Sequence, residues 1–250
     1  MKMSISEIRE ASYKRLMAER AQSASVRETT PATATQEIVG FCQTLGGSSD
    51  PLYVDVVNDA QGMYGWCSDG VCEKVIEGGG RIVFGWAIWE WPGVIVTSEF
   101  HAVWESPDRV LLDITPKPWQ ESRILFVPDY TYPEGFDFDL RPRNRRLSLY
   151  KSPERTIEAR QMIASFSASK LAYEQRRADK AGKTLEDVVA AKLSIDEKGL
   201  LIENFILACN QHEEYFDHLG GVGYIQADKK FFELMQKRVH LQELVQRSFR

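Results

Sequence analysis

Residues 61–80 read QGMYGWCSDGVCEKVIEGGG, and the fold turns on how this stretch is parsed. The pattern predicts a loop feeding a short helix. Ser68 or Asp69 can cap its start, Val71, Cys72, Val75 and Ile76 form an apolar side, and Gly78-Gly79-Gly80 stops it. Cys67 then stands at or just before the helix N-terminus. The unsatisfied amide N–H groups and the helix dipole there favour a thiolate, so this is a suitable place for a nucleophile. Cys72, on the same helix, is expected to face the core as a small hydrophobe.

Working outward, runs rich in β-branched and aromatic residues and bounded by Gly and Pro predict strands over Leu52–Val57, Ile82–Trp89, Val94–Trp104, Val110–Ile114 and Ile124–Val127. Val94–Trp104 and Val110–Ile114 flank the turn sequence Glu105-Ser106-Pro107-Asp108-Arg109 and form a hairpin. Glu99 and His101 share one face of the first strand, Asp113 and Thr115 one face of the second. Matching the polar faces requires a loop of odd residue count or one bulge. In that register His101 and Asp113 are direct cross-strand neighbours, with Cβ atoms roughly 5 Å apart.

A thiol at a helix start, an imidazole on a strand and a carboxylate on the next strand are the parts of a Cys–His–Asp relay. The imidazole takes the thiol proton, the carboxylate fixes the tautomer, and the thiolate attacks a carbonyl-type carbon. Gln61 can donate its amide N–H to the developing oxyanion, beside the backbone N–H of Cys67. Trp66, Trp89 and Glu99 are the candidate substrate-lining residues. No cofactor is called for. Cys67, Cys72 and His101 lack the fourth ligand a zinc site needs, so no metal is expected.

Gln61-Gly62-x-x-Gly65-x-Cys67 resembles the signature around the nucleophile of papain-like cysteine proteases, although Ser68 stands where those proteins carry tryptophan. The compact order Cys67, His101, Asp113 is similar to the transglutaminase-like and N-terminal glutamine amidase branches of that fold. The stretch from Gly78 through Glu99-Phe100-His101-Ala102-Val103-Trp104 to Asp113-Ile114-Thr115-Pro116 also resembles an uncharacterised bacterial domain, sometimes found ahead of a SEC-C zinc tail. The C-terminal helices lack that tail's cysteine cluster. The resemblance implies a papain-like α+β core with Cys67 as nucleophile and Gln61 as oxyanion donor.

Ser152-Pro153-Glu154 is a helix start: a capping hydroxyl, proline at the first helical position, then an acid. Helices are predicted over about 153–181, 184–193, 197–218 (stopped by Gly220-Gly221) and 225–247. An amphipathic helix is expected over 4–24, and TTPATAT (29–35) is a linker or extended arm. The division is therefore 1–35 (N-terminal helix and linker), 36–150 (an α+β catalytic domain holding all six tryptophans) and 151–250 (a helical domain).

Composition excludes several classes. The chain has 250 residues, 43% of them hydrophobic and 27% charged, which is ordinary for a globular protein. A net charge of -5 argues against a nucleic-acid binder. No apolar run approaches the roughly 20 residues of a membrane helix, and the charged N-terminus does not read as a secretory leader. Four cysteines without a CxxC fit reduced thiols and a cytoplasmic placement. The arginine cluster Arg141, Arg143, Arg145, Arg146 reads as a solvated connector, with a docking patch for an acidic partner as the sharper alternative.

Two functions follow. One is a cysteine hydrolase or acyltransferase acting on an amide or related acyl bond of a peptide or small molecule. The other is a non-catalytic interaction protein whose helical half pairs with itself or a partner, giving a homo-oligomer through the C-terminal helices.

Overall fold

The computed structural model describes residues 3–21, 28–46, 50–220 and 225–249. The chain is α+β. Its sheet residues form β1 (Leu52–Val56), β2 (Arg81–Trp91), β3 (Ile95–Glu105), β4 (Leu111–Asp113), β5 (Arg123–Pro128) and β6 (Arg145–Ser148). Three helices belong with the sheet or precede it: α1 (Ile5–Ala21), α2 (Gln36–Cys42) and α3 (Cys67–Gly78). Five follow it: α4 (Pro153–Ala164), α5 (Ala168–Lys180), α6 (Leu185–Ala190), α7 (Glu197–His218) and α8 (Lys229–Ser248).

β2 and β3 form an unbroken hairpin from Arg81 opposite Glu105 to Trp91 opposite Ile95. The short turn between them contains Gly93 at φ 69°, a conformation that suits glycine. β5 lies antiparallel to both β2 and β1, β1 parallel to β4, and β4 antiparallel to β3. The ring β2–β5–β1–β4–β3 thereby closes on itself as a five-stranded barrel, which removes the exposed edges an open sheet would carry. β6 hangs on β3 outside the ring, from Ile95 opposite Ser148 to Ser98 opposite Arg145.

Strand alternation sorts the side chains. Val54, Val83, Ala87, Val103, Ile124 and Phe126 fill the barrel, with no helix among them. The opposite faces carry Phe84, Trp86, Ile88, Phe100 and Val127, covered by Ile38 and Phe41 of α2 and by Cys67 and Val71 of α3. Tyr132, Phe136 and Phe138 add rings against Phe84 and Phe100. Each fully buried aromatic or aliphatic side chain contributes about 1.5–3 kcal/mol of transfer free energy. A separate cluster joins Trp91, Val94 and Ile95 at the hairpin tip to Ile202, Phe205, Ile206 and Cys209 of α7 and Val245 of α8.

The segment after residue 28 is an extended arm. Thr29 bridges Glu90, the Thr30 hydroxyl accepts Leu125 N–H, and the Pro31 carbonyl accepts the Tyr53 hydroxyl.

Several expectations are corrected. The arginine cluster is more than a connector, although Arg141, Arg143 and Arg145 are exposed. Arg145 and Arg146 lie in β6, Arg143 pairs with Asp217 and Arg146 with Glu213 of α7, and Arg145 donates to the Thr44 carbonyl. The helix expected over 153–181 breaks at 165–167, because Ser165 caps α4 and the Ser167 hydroxyl accepts Lys170 N–H to start α5. Ser152 and Pro153 do start α4, the serine oxygen accepting Arg155 N–H. Residues 225–228 precede α8 rather than joining it, and Gly221 of the expected glycine stop lies outside the described residues.

Candidate active site

α3 begins at Cys67, with Trp66 in the capping position. No side chain caps it, so neither Ser68 nor Asp69 has the expected role. Its buried side is Cys67, Gly70 and Val71, while Cys72 is exposed and Ile76 is 81% exposed. The helical period explains this phase: with Cys67 facing in, the positions three and four residues on share its face, and Cys72 rotates away. Gly79 at φ 68° and Gly80 at φ 78° end the helix as expected. A Cβ on Gly80 would lie 2.2 Å from the Glu105 carbonyl oxygen.

The loop before Cys67 is locked onto α3. The Gln61 carbonyl oxygen lies 2.7 Å from where a Cβ on Gly70 would sit, so the first turn of α3 needs glycine there. Asp59 accepts the Gln61 N–H at 2.8 Å and pairs with Lys74 of α3 at 2.7 Å. On the other side, a Cβ on Gly62 would strike the Ile114 carbonyl oxygen at 2.1 Å. The loop is thus wedged between α3 and the chain leaving β4.

His101 stands on β3 at a change of neighbours. One edge of β3 pairs with β2 throughout. The other pairs with β6 over Ile95–Ser98 and with β4 at Trp104 and Glu105, which leaves Glu99–Val103 between the two. Directly across on β2 is Gly85, which puts no side chain beside the imidazole. A Cβ there would lie 2.2 Å from the Val127 carbonyl oxygen.

The loop 106–110 has the odd count needed to match the polar faces, and Arg109 takes a left-handed φ of 62° within it. The pairing itself differs from the expected one. Trp104 opposes Leu112 and Glu105 opposes Leu111, so Asp113 falls diagonal to His101 rather than directly across. A diagonal pair on one face is still within reach of a long side chain. His101 Nε2 lies 3.1 Å from Asp113 Oδ2, with both residues buried. A carboxylate only accepts, so Nε2 carries the proton of this bond.

Asp113 is completely buried and held on several sides. Its Oδ1 accepts Thr115 N–H at 2.9 Å, and its Oδ2 also meets Lys117 Nζ at 2.5 Å. Burial works against its charge, but the Lys117 and His101 charges outweigh that and hold the carboxyl below the ordinary carboxylate range. For His101, burial favours the neutral ring. The Asp113 carboxylate and the charge of Cys67 outweigh it, against an opposing push from Lys117, and the ring is raised above its ordinary value. Cys67 is therefore close enough to act on the imidazole electrostatically. Three thiols are pushed toward their protonated forms, first of all by desolvation: Cys42 to about 12, Cys209 to about 11, and Cys72 upward.

Trp89 and Glu99 do meet: the indole N–H donates to Glu99 at 3.1 Å. The Lys117 ammonium lies 5.7 Å from the Trp89 ring centroid. Trp66 is half-buried and contributes its backbone, its carbonyl accepting Gly70 N–H at 3.0 Å.

Three participants were missed in the sequence. Lys117, in Pro116-Lys117-Pro118, carries no local mark of burial. Tyr64 is pushed up to about 12, first by burial and then by the charges of Glu19, Glu99 and Glu121. α1 itself lies across the loops. Arg15 stacks over Tyr64 at 5.6 Å, Arg20 donates to the Pro118 carbonyl at 3.3 Å, and Arg9 donates to the Ala60 carbonyl at 2.8 Å and to Gln61 Oε1. Arginine has no acceptor, so the Gln61 amide oxygen must face it, leaving Nε2 as the available donor.

No family model, curated protein or solved structure matches the chain. Among the described residues, no cluster of three His, Cys, Asp or Glu side chains could hold a metal ion, and no helix is long and apolar enough to cross a membrane.

Proposed function

We propose that this protein is a cysteine-dependent hydrolase or acyltransferase acting on an amide or related acyl bond. The observation that carries it is the buried His101–Asp113 pair with Cys67, at the start of α3, acting electrostatically on the same ring. α3, opened by Cys67, docks against a mixed sheet in which β1 runs parallel to β4, a departure from the antiparallel sheet expected. The helix-on-sheet packing alone supports a relation to papain-like and transglutaminase-like cores, with residues 36–150 as the catalytic unit and 151–250 as a helical one. Four free thiols suit a cytoplasmic placement.

In this reading the Cys67 thiol passes its proton to His101. The thiolate attacks the carbonyl carbon, and the C–S bond forms as the carbonyl electrons move onto oxygen. The Gln61 amide and the Cys67 backbone N–H stabilise that oxyanion. The intermediate collapses, the C–N bond breaks, and the amine leaves with the proton from His101. Water, or an acceptor nucleophile, then gives a proton to His101 and attacks the thioester carbonyl. The C–S bond breaks, the acid or transferred acyl product leaves, and His101 returns the proton to the departing sulfur. Asp113 keeps the ring in one tautomer throughout. Trp89 and Glu99 line the approach.

Iodoacetamide labelling with site-resolved mass spectrometry tests this. At pH 6–7 Cys67 is expected to react faster than Cys72, although Cys72 is the more exposed thiol. Cys67→Ala should abolish activity toward peptide, glutamine and acyl substrates with the fold intact. A Cys67 rate no greater than that of Cys72 overturns the reading.

A second reading, an interaction role for the helical half, draws on the exposed pairs Leu200 and Leu207 on α7 and Phe232 and Val239 on α8, each pair two helical turns apart. Sedimentation of the full chain would reveal self-association through that surface, and Leu207→Glu with Val239→Glu should abolish it.

A further inference from the structure

We propose that Lys117 is the positioning and charge-balancing residue of this site: its ammonium clamps Asp113 and keeps the buried cluster neutral while Cys67 gives its proton to His101. The inference rests on the cysteine-hydrolase reading above.

The geometry is specific. Lys117 Nζ lies 2.5 Å from Asp113 Oδ2, the oxygen that also meets His101 Nε2 at 3.1 Å. With Thr115 N–H on Oδ1, the carboxylate is fixed by three donors and has one orientation left. The lysine side chain is only 5% exposed. Its backbone is fixed as well, the carbonyl accepting Gln120 N–H and an Arg20 guanidinium N–H, each at 3.4 Å. A lysine buried this deeply is costly, and an apolar side chain of similar volume would fill the space without that cost.

A count of charges gives the lysine a role. The groups facing His101 are Cys67 from α3, Asp113 from β4 and Lys117 from the segment after β4; Gly85 from β2 brings none. Glu99, two residues along β3 on the same face, is exposed and screened by water. With Asp113 ionised and Lys117 protonated, the cluster is neutral as thiol and neutral imidazole, and equally neutral as thiolate and imidazolium. Proton transfer from sulfur to nitrogen then occurs within a neutral site. Without Lys117 both of these states carry one net negative charge. The neutral state would instead be thiol, imidazolium and carboxylate, in which no group is free to take the thiol proton. In a buried environment the neutral state is favoured. Lys117 therefore disfavours that dead-end protonation state, to which it would add a net positive charge.

The test is the pH dependence of Cys67 alkylation by iodoacetamide in the full chain, read by site-resolved mass spectrometry. Lys117→Met is expected to move the limb of this profile upward by about one pH unit or more, the size of effect expected from one nearby charge. Lys117→Gln, which keeps a donor for Asp113 but drops the charge, should move it as far. Lys117→Arg should restore the wild-type limb. A role in packing alone would lower the folded fraction without moving the limb. Folded Lys117→Met and Lys117→Gln proteins with the wild-type limb overturn the proposal. If neither variant folds, the wild-type Lys117 Nζ nuclear magnetic resonance signal decides. It must shift with the midpoint of the Cys67 limb, and an unchanging signal overturns the proposal. The failure of the underlying reading is separate: wild-type Cys67 would then show no limb below that of Cys72.

Discussion

The barrel and the α4–α6 helices bury different things. Among the described residues, Trp86, Phe84, Phe126, Ile88, Ile114 and Leu125 are almost wholly enclosed in or on the barrel. α4, α5 and α6 bury only Ala159, Glu174, Ala178 and Val189. Each region also holds a buried acid. Asp113 is held by Lys117 and His101, both buried themselves. Glu174 is held by Lys192 and Arg177, whose side chains are 42% and 52% exposed. The difference shows where charges can be kept dry. Large side chains packed on both faces of a closed sheet surround the Asp113 cluster and keep its charges largely out of bulk solvent. Small residues between short helices leave the Glu174 pairs in contact with solvent, where an ion pair contributes little.

The largest expected effect is on the barrel interior. Phe126→Ala should cost about 4 kcal/mol, because a rigid surround leaves a cavity. Val189→Ala in the helical half should cost about 1.5 kcal/mol, the transfer term of its lost methyl groups. Urea midpoints of the two variants measure the contrast, and equal losses would break it.

Asp113→Asn comes next, at about 3 kcal/mol, because it leaves Lys117 as a buried cation without its counter-charge. The pH dependence has a defined sign. A carboxyl depressed in the folded state contributes stability that is fully present above its unfolded value of 3.8 and lost as pH falls through its folded value. His101, raised in the folded state, contributes stability fully present below its unfolded value of 6.5 and lost as pH rises through its folded value. Wild-type stability should thus fall more steeply below pH 3.8 than that of Asp113→Asn. Parallel acid-unfolding curves would show that Asp113 is not the linked group.

Gly85→Ala should cost about 2 kcal/mol, since the new Cβ meets the Val127 carbonyl oxygen at 2.2 Å and Phe126 Cζ at 2.6 Å. Gly182→Ala meets nothing within 4 Å and bears only the strain of its φ of +62°, about 1 kcal/mol. Paired thermal melts separate steric fit from backbone strain. A larger loss at Gly182 would reverse the assignment of tight packing to the barrel.

Much of this was legible in the chain. The Val94–Trp104 run forecast β3 and most of its faces, and Ser152-Pro153 forecast the start of α4 at its observed residue. The odd loop placed His101 and Asp113 on one face. Their diagonal offset was not legible, because face parity repeats every two residues and leaves a two-residue slip undetected. Cys67 and Cys72 have equal local claims to burial, and only the docking of α3 against the barrel chose between them. β6 was hidden because Arg145 and Arg146 read as surface charge, and their acceptors Thr44 and Glu213 lie far away in the chain.

The sequence by itself determined most of the strands and helices, α2, β6 and the break between α4 and α5 excepted, and that a thiol opens α3, because alternation, capping and glycine stops act between residues a few positions apart. Only the tertiary structure decided that β1 meets β4 in parallel, that β5 closes the ring onto β2, and that Lys117 is drawn inside against Asp113. Those outcomes depend on which edges find each other over long stretches of chain. A lysine between two prolines has the same local sequence whether it ends in water or against a carboxylate.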